Sequence, residues 1–332
     1  MSDPIRTLLA AALASAAWVA PNAAPAVTAA GSTKLAVSYS QKVPDYVPLW
    51  IASDAGYFKK QGLDVTTRYL PAQEGVPALI TGQVQMAGIG GSDAASAEAQ
   101  GTKLKLVLTF SPVYTFQFWA RPQYASANAL KGQRVGVTST TGSLYAGTLL
   151  ALKQLGLTAS DVVIARLGTT TNVNSSLMAG SIAAAGSHPP ATYQFKKADF
   201  VDLVDLPKKQ IPSVSDGLWV SQSYIQAHRD AVQKVVNAIV AGIRSEESNR
   251  SFAEDEITKY LGVKDKAQLD FTYDFYVKEV LPPGILPQVA QIQSNIDAMA
   301  TSNPKVKSLD AAEMIDQSFV KHAEKILDGA EK

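Results

Sequence analysis

The 332-residue chain contains no cysteine. That absence excludes disulfide bridges, thiolate zinc sites, iron–sulfur ligation and cysteine nucleophiles, and it leaves no residue for a lipid anchor after an export signal. Histidine is scarce as well, since His188, His228 and His322 stand far apart without the HExxH spacing of a zinc enzyme. We therefore predict neither a metal site nor a cofactor.

The chain also lacks an excess of either charge. Its 30 basic and 29 acidic side chains give a formal net charge of +1. Such a balance indicates neither a nucleic-acid-binding face nor an acidic solvating tail, so we predict no nucleic-acid partner. The hydrophobic content of 46% is enough for a large core, and the length allows two ordinary domains.

Long apolar runs are missing except near the N-terminus. There Arg6 precedes an Ala/Leu-rich run over residues 7–20, and small residues such as Val27-Thr28-Ala29 follow. This pattern is typical of a secretory signal peptide and is short for a membrane span. We predict a signal peptide over residues 1–30 and a soluble periplasmic protein that is not a lipoprotein. A disordered Ala-rich leader is the alternative.

From Lys34 onward, predicted strands alternate with predicted helices. This alternation predicts an α/β fold whose sheets are covered by helices on both faces. The segment 116–212 has a strand–helix alternation of its own, whereas the chain beyond residue 220 is almost entirely helical in pattern. We predict one lobe from residues 34–115 and 213–332, interrupted by a second lobe from residues 116–212.

Four short motifs occur in an order and spacing that span about residues 34–250. They are Pro48–Val65 with its Gly-Leu-Asp-Val end, Gly82–Ala87, Leu130–Val137 and Leu177–Ala184. The segment resembles the nitrate/sulfonate/taurine, or NMT1/THI5-like, group of periplasmic solute-binding proteins of ABC importers. Two positions depart from that pattern, because Gln85 and Ala183 stand where the family commonly has an acidic residue.

The resemblance implies a type II-like periplasmic binding protein. Each of its two lobes would hold a mixed β-sheet flanked by helices, with the ligand cleft between the lobes. It further implies delivery of a small molecule to an ABC permease in the inner membrane. We expect the protein to be a monomer and not an enzyme. An enzymatic branch with a similar fold, the yeast-type pyrimidine synthases, relies on a cysteine-rich segment that this chain lacks.

In open α/β sheets, ligands bind at the loops beyond the carboxyl ends of the strands. The candidate ligand-binding residues therefore come from the loops that follow predicted strands and from the first crossing between lobes. They are Gln41, Tyr46, Gly91, Ser92, Tyr114, Phe116, Thr140, Thr141, Gly142, Ser143, Thr170, Asn172, His188 and Pro189. Each can instead have a structural role, as a helix cap, a polar connection or a core side chain.

Hydroxyl groups, glycine N–H groups and a helix start at Gly142 favour an anion such as a sulfonate, nitrate or carboxylate. These loops hold no arginine, so a neutral, pyrimidine-like heteroaromatic ligand stays open. A sensory role at a membrane receptor would use the same cleft. A further alternative is an exported serine hydrolase at Ser92, where Gly90–Ala94 resembles a nucleophile elbow without its last glycine.

Overall fold

A computed structural model describes residues 32–330, and the predicted signal peptide over residues 1–30 lies outside them. The described chain contains ten β-strands. They are β1 (Thr33–Tyr39), β2 (Leu63–Tyr69), β3 (Met86–Ile89), β4 (Leu104–Val113), β5 (Gln117–Ala120), β6 (Arg134–Val137), β7 (Val163–Arg166), β8 (Ala184–Ser187), β9 (Val201–Asp205) and β10 (Pro212–Ser221).

Thirteen α-helices accompany these strands within the same residues. They are α1 (Val47–Asp54), α2 (Tyr57–Lys60), α3 (Ala72–Ile80), α4 (Gly91–Glu98), α5 (Ala127–Leu130), α6 (Ser143–Gln154), α7 (Thr170–Ala179), α8 (Ala191–Lys197), α9 (Gln222–Ser248), α10 (Arg250–Leu261), α11 (Lys266–Phe275), α12 (Val289–Met299) and α13 (Ser318–Ala330). A π-helical turn, Tyr276–Val280, continues α11. None of the helices in residues 32–330 has both the length and the hydrophobicity needed to cross a bilayer.

The strands form two five-stranded mixed sheets of matching design. The first sheet has the order β2-β1-β3-β10-β4, and the second has the order β7-β6-β8-β5-β9. In each sheet the first three strands are parallel, and the next strand runs antiparallel to its neighbours. The predicted fold class, two mixed sheets flanked by helices, is therefore confirmed; the exact lobe boundaries stay a prediction.

Two short segments connect the sheets. Residues 114–116 lead from β4 to β5, and residues 206–211 lead from β9 back to β10. The first segment starts beside the point where the second ends, because Val113 at the end of β4 is paired with Pro212 at the start of β10. The second sheet is thus an insertion that leaves and re-enters the first sheet at neighbouring points.

Most predicted elements match the structure to within a few residues, and the exceptions have physical causes. The sequence Ser181–Ala185 predicts a strand, but the chain at Gly180 is left-handed and the turn delays β8 to Ala184. The sequence Gly217–Val220 likewise predicts a strand, but β10 begins five residues earlier, at Pro212, in a polar segment. The apolar spacing over Asp230–Glu247 predicts a helix. Helix α9 begins earlier, at Gln222, because a short helical part before His228 joins the predicted part through non-helical backbone at that residue.

The core behind the first sheet depends on close packing between α1 and α9. Trp50 of α1 is fully buried in a cluster with the apolar face of α9. Gly242 of α9 lies against the backbone of α1, where a Cβ atom would come closer to the Pro48 carbonyl oxygen than real Cβ atoms do. Glycine at position 242 is therefore required by the approach of two helix backbones, not by its own dihedral angles.

We expect Gly242→Ala to destabilise the protein by about 1–3 kcal/mol, because the added methyl group must push α9 away from α1. Chemical denaturation of the purified protein measures this change. The matched control is Gly329→Ala in α13, where an added Cβ meets no atom; there we expect no loss of stability. Equal stability of the Gly242→Ala variant and the unchanged protein would contradict the close approach.

Candidate functional site

The strand-end loops of both sheets surround one polar cavity of about 60 Å³. From the first sheet come the loops after β1, β2 and β3, and from the second sheet come the loops after β6 and β7. The lining residues are Ser40, Gln41, Lys42, Tyr69, Pro71, Ala72, Gln73, Asp93, Thr138, Ser139, Gly142, Ser143, Leu144, Gly168, Thr169, Thr170 and Thr171.

Parallel pairing explains why these loops meet. β1, β2 and β3 run in one direction, so their carboxyl ends lie at one edge of the first sheet. β6 and β7 do the same in the second sheet. Helices that follow such strands begin at that edge, and their free N–H groups point toward it. The cavity therefore lies where two such edges meet.

The start of α6 supplies hydrogen-bond donors to the second-sheet side. Gly142 caps the helix in extended conformation, and its N–H donates to the Ser139 hydroxyl at 3.1 Å. The Ser143 hydroxyl is 4% exposed and has no hydrogen-bond partner among residues 32–330. Gly90, which precedes α4, leaves the space that Ser143 Oγ occupies, because a Cβ at position 90 would overlap it.

Asp93 of α4 supplies an acidic group to the first-sheet side. Thr141 Oγ1 donates to its carboxylate at 3.4 Å, and no ion pair involving Asp93 is found in the described chain. Burial raises the pKa of Asp93 to about 7, since a carboxylate away from water is disfavoured. At neutral pH this carboxyl group can both donate and accept.

Two further contacts shape the cavity rim. The Thr170 hydroxyl donates to the Gln41 side-chain oxygen, which joins the start of α7 to the loop after β1. Lys42 Nζ lies 5.5 Å from the centre of the Tyr69 ring. On the first-sheet side the rim therefore carries the exposed ammonium of Lys42 beside the Tyr69 ring. Both side chains line the cavity, so both can contact a ligand.

Four of the predicted site residues, Gln41, Gly142, Ser143 and Thr170, line this cavity. Thr141 is exposed and contacts Asp93 without lining the cavity, and Thr140 is exposed. Asn172 is exposed within α7, where its side-chain amide donates to the Leu167 carbonyl oxygen at 2.9 Å. Their roles in ligand binding stay predictions.

Tyr46 lies deeper than the cavity. Its hydroxyl donates to Asp216 Oδ1 at 2.5 Å and lies 3.0 Å from the Ser40 hydroxyl. Burial, followed by the charge of Asp45, raises the pKa of Asp216 well above its usual range. Tyr46 thus holds a buried carboxyl directly beneath Ser40, which itself lines the cavity.

Gly91, Ser92 and Tyr114 surround the side chain of Asn295 from α12. The Asn295 amide lies 3.4 Å from both the Ser92 and Tyr114 hydroxyl oxygens, and a Cβ at Gly91 would overlap its side-chain oxygen. Ser92 is 0% exposed. The structure therefore brings these three residues together around Asn295, away from the cavity.

Phe116, His188 and Pro189 lie where the second sheet meets the π-helical turn. Pro189 is buried beside His188, and the Phe116 and His188 ring centres are 5.8 Å apart. The Tyr276 hydroxyl donates to Asp45 at 2.9 Å and lies 3.0 Å from His188 Nδ1. A proton on Nδ1 therefore completes a chain from His188 through Tyr276 to Asp45.

Several cavity residues were missed from the sequence. They are Lys42, Tyr69, Asp93, Ser139 and Thr169 among others. From the sequence, Asp93 at the end of the Gly90–Asp93 loop is more often a helix cap than a partner for an amine; in the structure Gly90 is the N-cap, and Asp93 lies in the first turn with its carboxylate beside Gly142. Its position directly after a Gly-Gly-Ser loop at a strand end was the available signal. No sequence signal indicated Tyr69, because its pattern is that of an ordinary strand residue.

Comparison with known proteins places the chain in a family. The NMT1/THI5-like family model matches residues 43–245. Riboflavin-binding protein RibY of Chloroflexus aurantiacus is 26% identical over 245 residues, which covers 71% of this chain and 69% of RibY.

Two solved structures have the same fold. The alkanesulfonate-binding protein SsuA of Xanthomonas axonopodis pv. citri, bound to MOPS, has a TM-score of 0.71 at 20% identity, covering 87% of this chain and 99% of SsuA. The periplasmic nitrate-binding protein NrtA of Synechocystis PCC 6803 has a TM-score of 0.70 at 11% identity, covering 89% of each chain. The chain thus belongs to the NMT1/THI5-like family and has the fold of periplasmic solute-binding proteins.

Proposed function

We propose that the chain is the extracytoplasmic solute-binding component of an ABC importer and captures one small polar molecule in the 60 Å³ cavity. The observation that carries this proposal is the convergence of five strand-end loops from two sheets on that one cavity. Ser92, the candidate nucleophile of the hydrolase alternative, is fully buried and hydrogen-bonded to Asn295, which favours binding over hydrolysis.

Capture in this cavity requires the lobes to separate and close. A space of 60 Å³ holds a few water molecules, whereas ligand pockets usually measure 300 Å³ or more. Side-chain contacts across the gap, Thr170 with Gln41 and Thr141 with Asp93, describe a closed arrangement. In our proposal the ligand enters an open form, and closure around it replaces these contacts with ligand contacts.

The two walls of the cavity favour different chemical groups in a ligand. The start of α6 with the unpartnered Ser143 hydroxyl suits an acceptor or oxyanion. Asp93 on the facing wall suits an N–H donor or an amine. A simple anion would place its negative charge beside a partly buried carboxyl group whose own charged form is already disfavoured. We therefore propose a ligand with both groups, such as a heteroaromatic ring with N–H groups or an amino-sulfonate, in preference to nitrate.

A thermal-shift panel tests the function. We expect at least one compound that has both an N–H donor and an acceptor to raise the Tm of the purified protein as its concentration increases, because a ligand specific for the folded state stabilises it. The panel compares nitrate, ethanesulfonate, taurine, pyrimidines and riboflavin. A flat response to every class would count against the solute-binding proposal, and a response to nitrate or ethanesulfonate without the others would overturn the ligand class.

Ser143→Ala tests the site with the compound found in the panel. We expect an affinity loss of about 5- to 10-fold, the value of one hydrogen bond to a ligand, measured by isothermal titration calorimetry. Ser181→Ala is the matched control, since Ser181 is exposed and does not line the cavity; it should leave the affinity unchanged. Equal affinities of the unchanged protein, Ser143→Ala and Ser181→Ala would show that the ligand binds elsewhere.

The pH dependence of binding tests the role of Asp93. Its pKa of about 7 in the folded protein lies above the ordinary value of 3.8, so its contribution to stability is present in acid and is lost as pH rises through 7. A ligand that donates N–H groups to the carboxylate should bind more tightly as pH rises from 6 to 8. Asp93→Asn should flatten that rise, and weaker binding at higher pH in the unchanged protein would indicate an anion beside Asp93 instead.

A further inference from the structure

A second cavity, of about 540 Å³, lies apart from the cleft. One wall comes from β5, β9 and α8 of the second-sheet region, and the other from α11 and the π-helical turn. Its lining residues are Gln117, Trp119, Lys196, Phe200, Val201, Asp202, Lys208, Phe271, Asp274, Phe275 and Glu279. None of these residues lines the cleft cavity.

Unpartnered polar atoms are concentrated in this lining. Within residues 32–330, ten buried side-chain atoms lack a hydrogen-bond partner, and four of them belong to lining residues: Gln117 Oε1, Trp119 Nε1, Asp202 Oδ1 and Glu279 Oε2. Gln117 is 8% and Trp119 is 5% exposed. Each such atom costs about 1–3 kcal/mol, and native proteins keep few of them unless a partner binds there.

Two carboxyl groups of this lining, those of Asp202 and Glu279, form no ion pair in the described chain, although the charge of Lys208 opposes the rise of both their pKa values. Lys208 is paired with Asp205 at 2.9 Å, and Asp274 is paired with Arg250 at 2.9 Å and with Lys278 at 3.1 Å. No ion pair in the described chain involves Asp202 or Glu279, and exposed Lys196 is paired with neither. Burial and the charge of Asp205 raise the pKa of Asp202 to about 7 and also raise that of Glu279. A bound cation would remove that penalty.

Aromatic rings complete the cavity. Trp119, Phe200, Phe271 and Phe275 line it, and the Arg121 guanidinium already lies 5.6 Å from the Phe200 ring centre. Rings of this kind attract a cation through their faces and pack against apolar groups. Carboxylates beside aromatic rings therefore match a molecule that has a positive end and an apolar body.

We propose that this cavity binds an organic cation, a primary ammonium attached to an apolar or aromatic group. The ammonium donates to Asp202 and Glu279, and the apolar body packs on Phe271 and Phe275. In the present arrangement the unpartnered atoms are sealed from water, so binding requires small side-chain rotations of the lining. The site is independent of the ligand in the cleft.

Phenethylammonium is the probe, with 2-phenylethanol as its uncharged and phenylacetate as its anionic counterpart. At pH 8 we expect saturable binding of the ammonium at least tenfold tighter than that of the alcohol, and no binding of phenylacetate, by calorimetry and by the fluorescence change of Trp119. Equal affinity for the amine and the alcohol would overturn the role of the carboxyls. No saturable binding of any probe would mean that solvent alone fills the cavity, which also overturns the proposal.

Variants locate the site. Asp202→Asn combined with Glu279→Gln should weaken phenethylammonium binding at least tenfold. Trp119→Phe should remove the fluorescence change that the probe causes. Asp64→Asn, at an exposed acid of β2, is the matched charge control and should change nothing. Asp93→Asn, which alters the cleft, should leave the affinity for phenethylammonium unchanged; a loss of affinity there would show that the probe binds in the cleft and would refute the second site. Unchanged melting curves confirm that each variant folds.

Discussion

The antiparallel pairing of β4 with β10 is the interaction on which the two-sheet arrangement depends. These two ten-residue strands lie side by side in the first sheet, and their ends feed both crossings to the second sheet. The pairing is irregular between Pro212 and Asp216. There the Val214 N–H donates to the Asn295 side-chain oxygen, and the Thr115 N–H donates to the Ser215 hydroxyl. Both crossings are thereby anchored at one place, so a rotation there moves the whole second sheet.

Three carboxyl groups lie between this anchor and the cleft, two of them buried and one, Asp93, partly exposed at the cavity, and they differ in their hydrogen bonding. Asp45 accepts from the Ser111 and Tyr276 hydroxyls, and Asp216 accepts from Tyr46 and Ser40. Asp93 has a single 3.4 Å contact, from Thr141. Buried carboxyls are costly unless hydrogen bonds stabilise them. The first two are thus completed by the protein, whereas Asp93 lacks partners on the side that faces the cavity.

The order of strands and helices could be predicted because hydrophobic periodicity and Gly or Pro breaks are local signals. The same signals predicted which loops follow the strands. They therefore also placed four residues that line the cavity: Gln41, Gly142, Ser143 and Thr170. A ligand role for Asp93 could not be favoured over a helix cap, because its neighbours at the cavity come from the loop before α6, far away in sequence. The polar start of β10 was missed for the same reason: Asp216 is buried only because Tyr46 is there to donate to it.

The proposed capture mechanism follows from the hydrogen-bonding groups that the two cavity walls leave without a full set of partners. The Ser143 hydroxyl lacks a partner on one wall, and Asp93 on the other accepts one long hydrogen bond, from Thr141. In this closed arrangement the protein's own groups therefore leave hydrogen-bonding capacity free on both walls. A ligand that contacts both walls binds the closed form better than the open form, which is the condition for shifting the population toward closure. A ligand that satisfies one wall leaves the other buried and unpaired, so selectivity arises from the cost of that unpaired group.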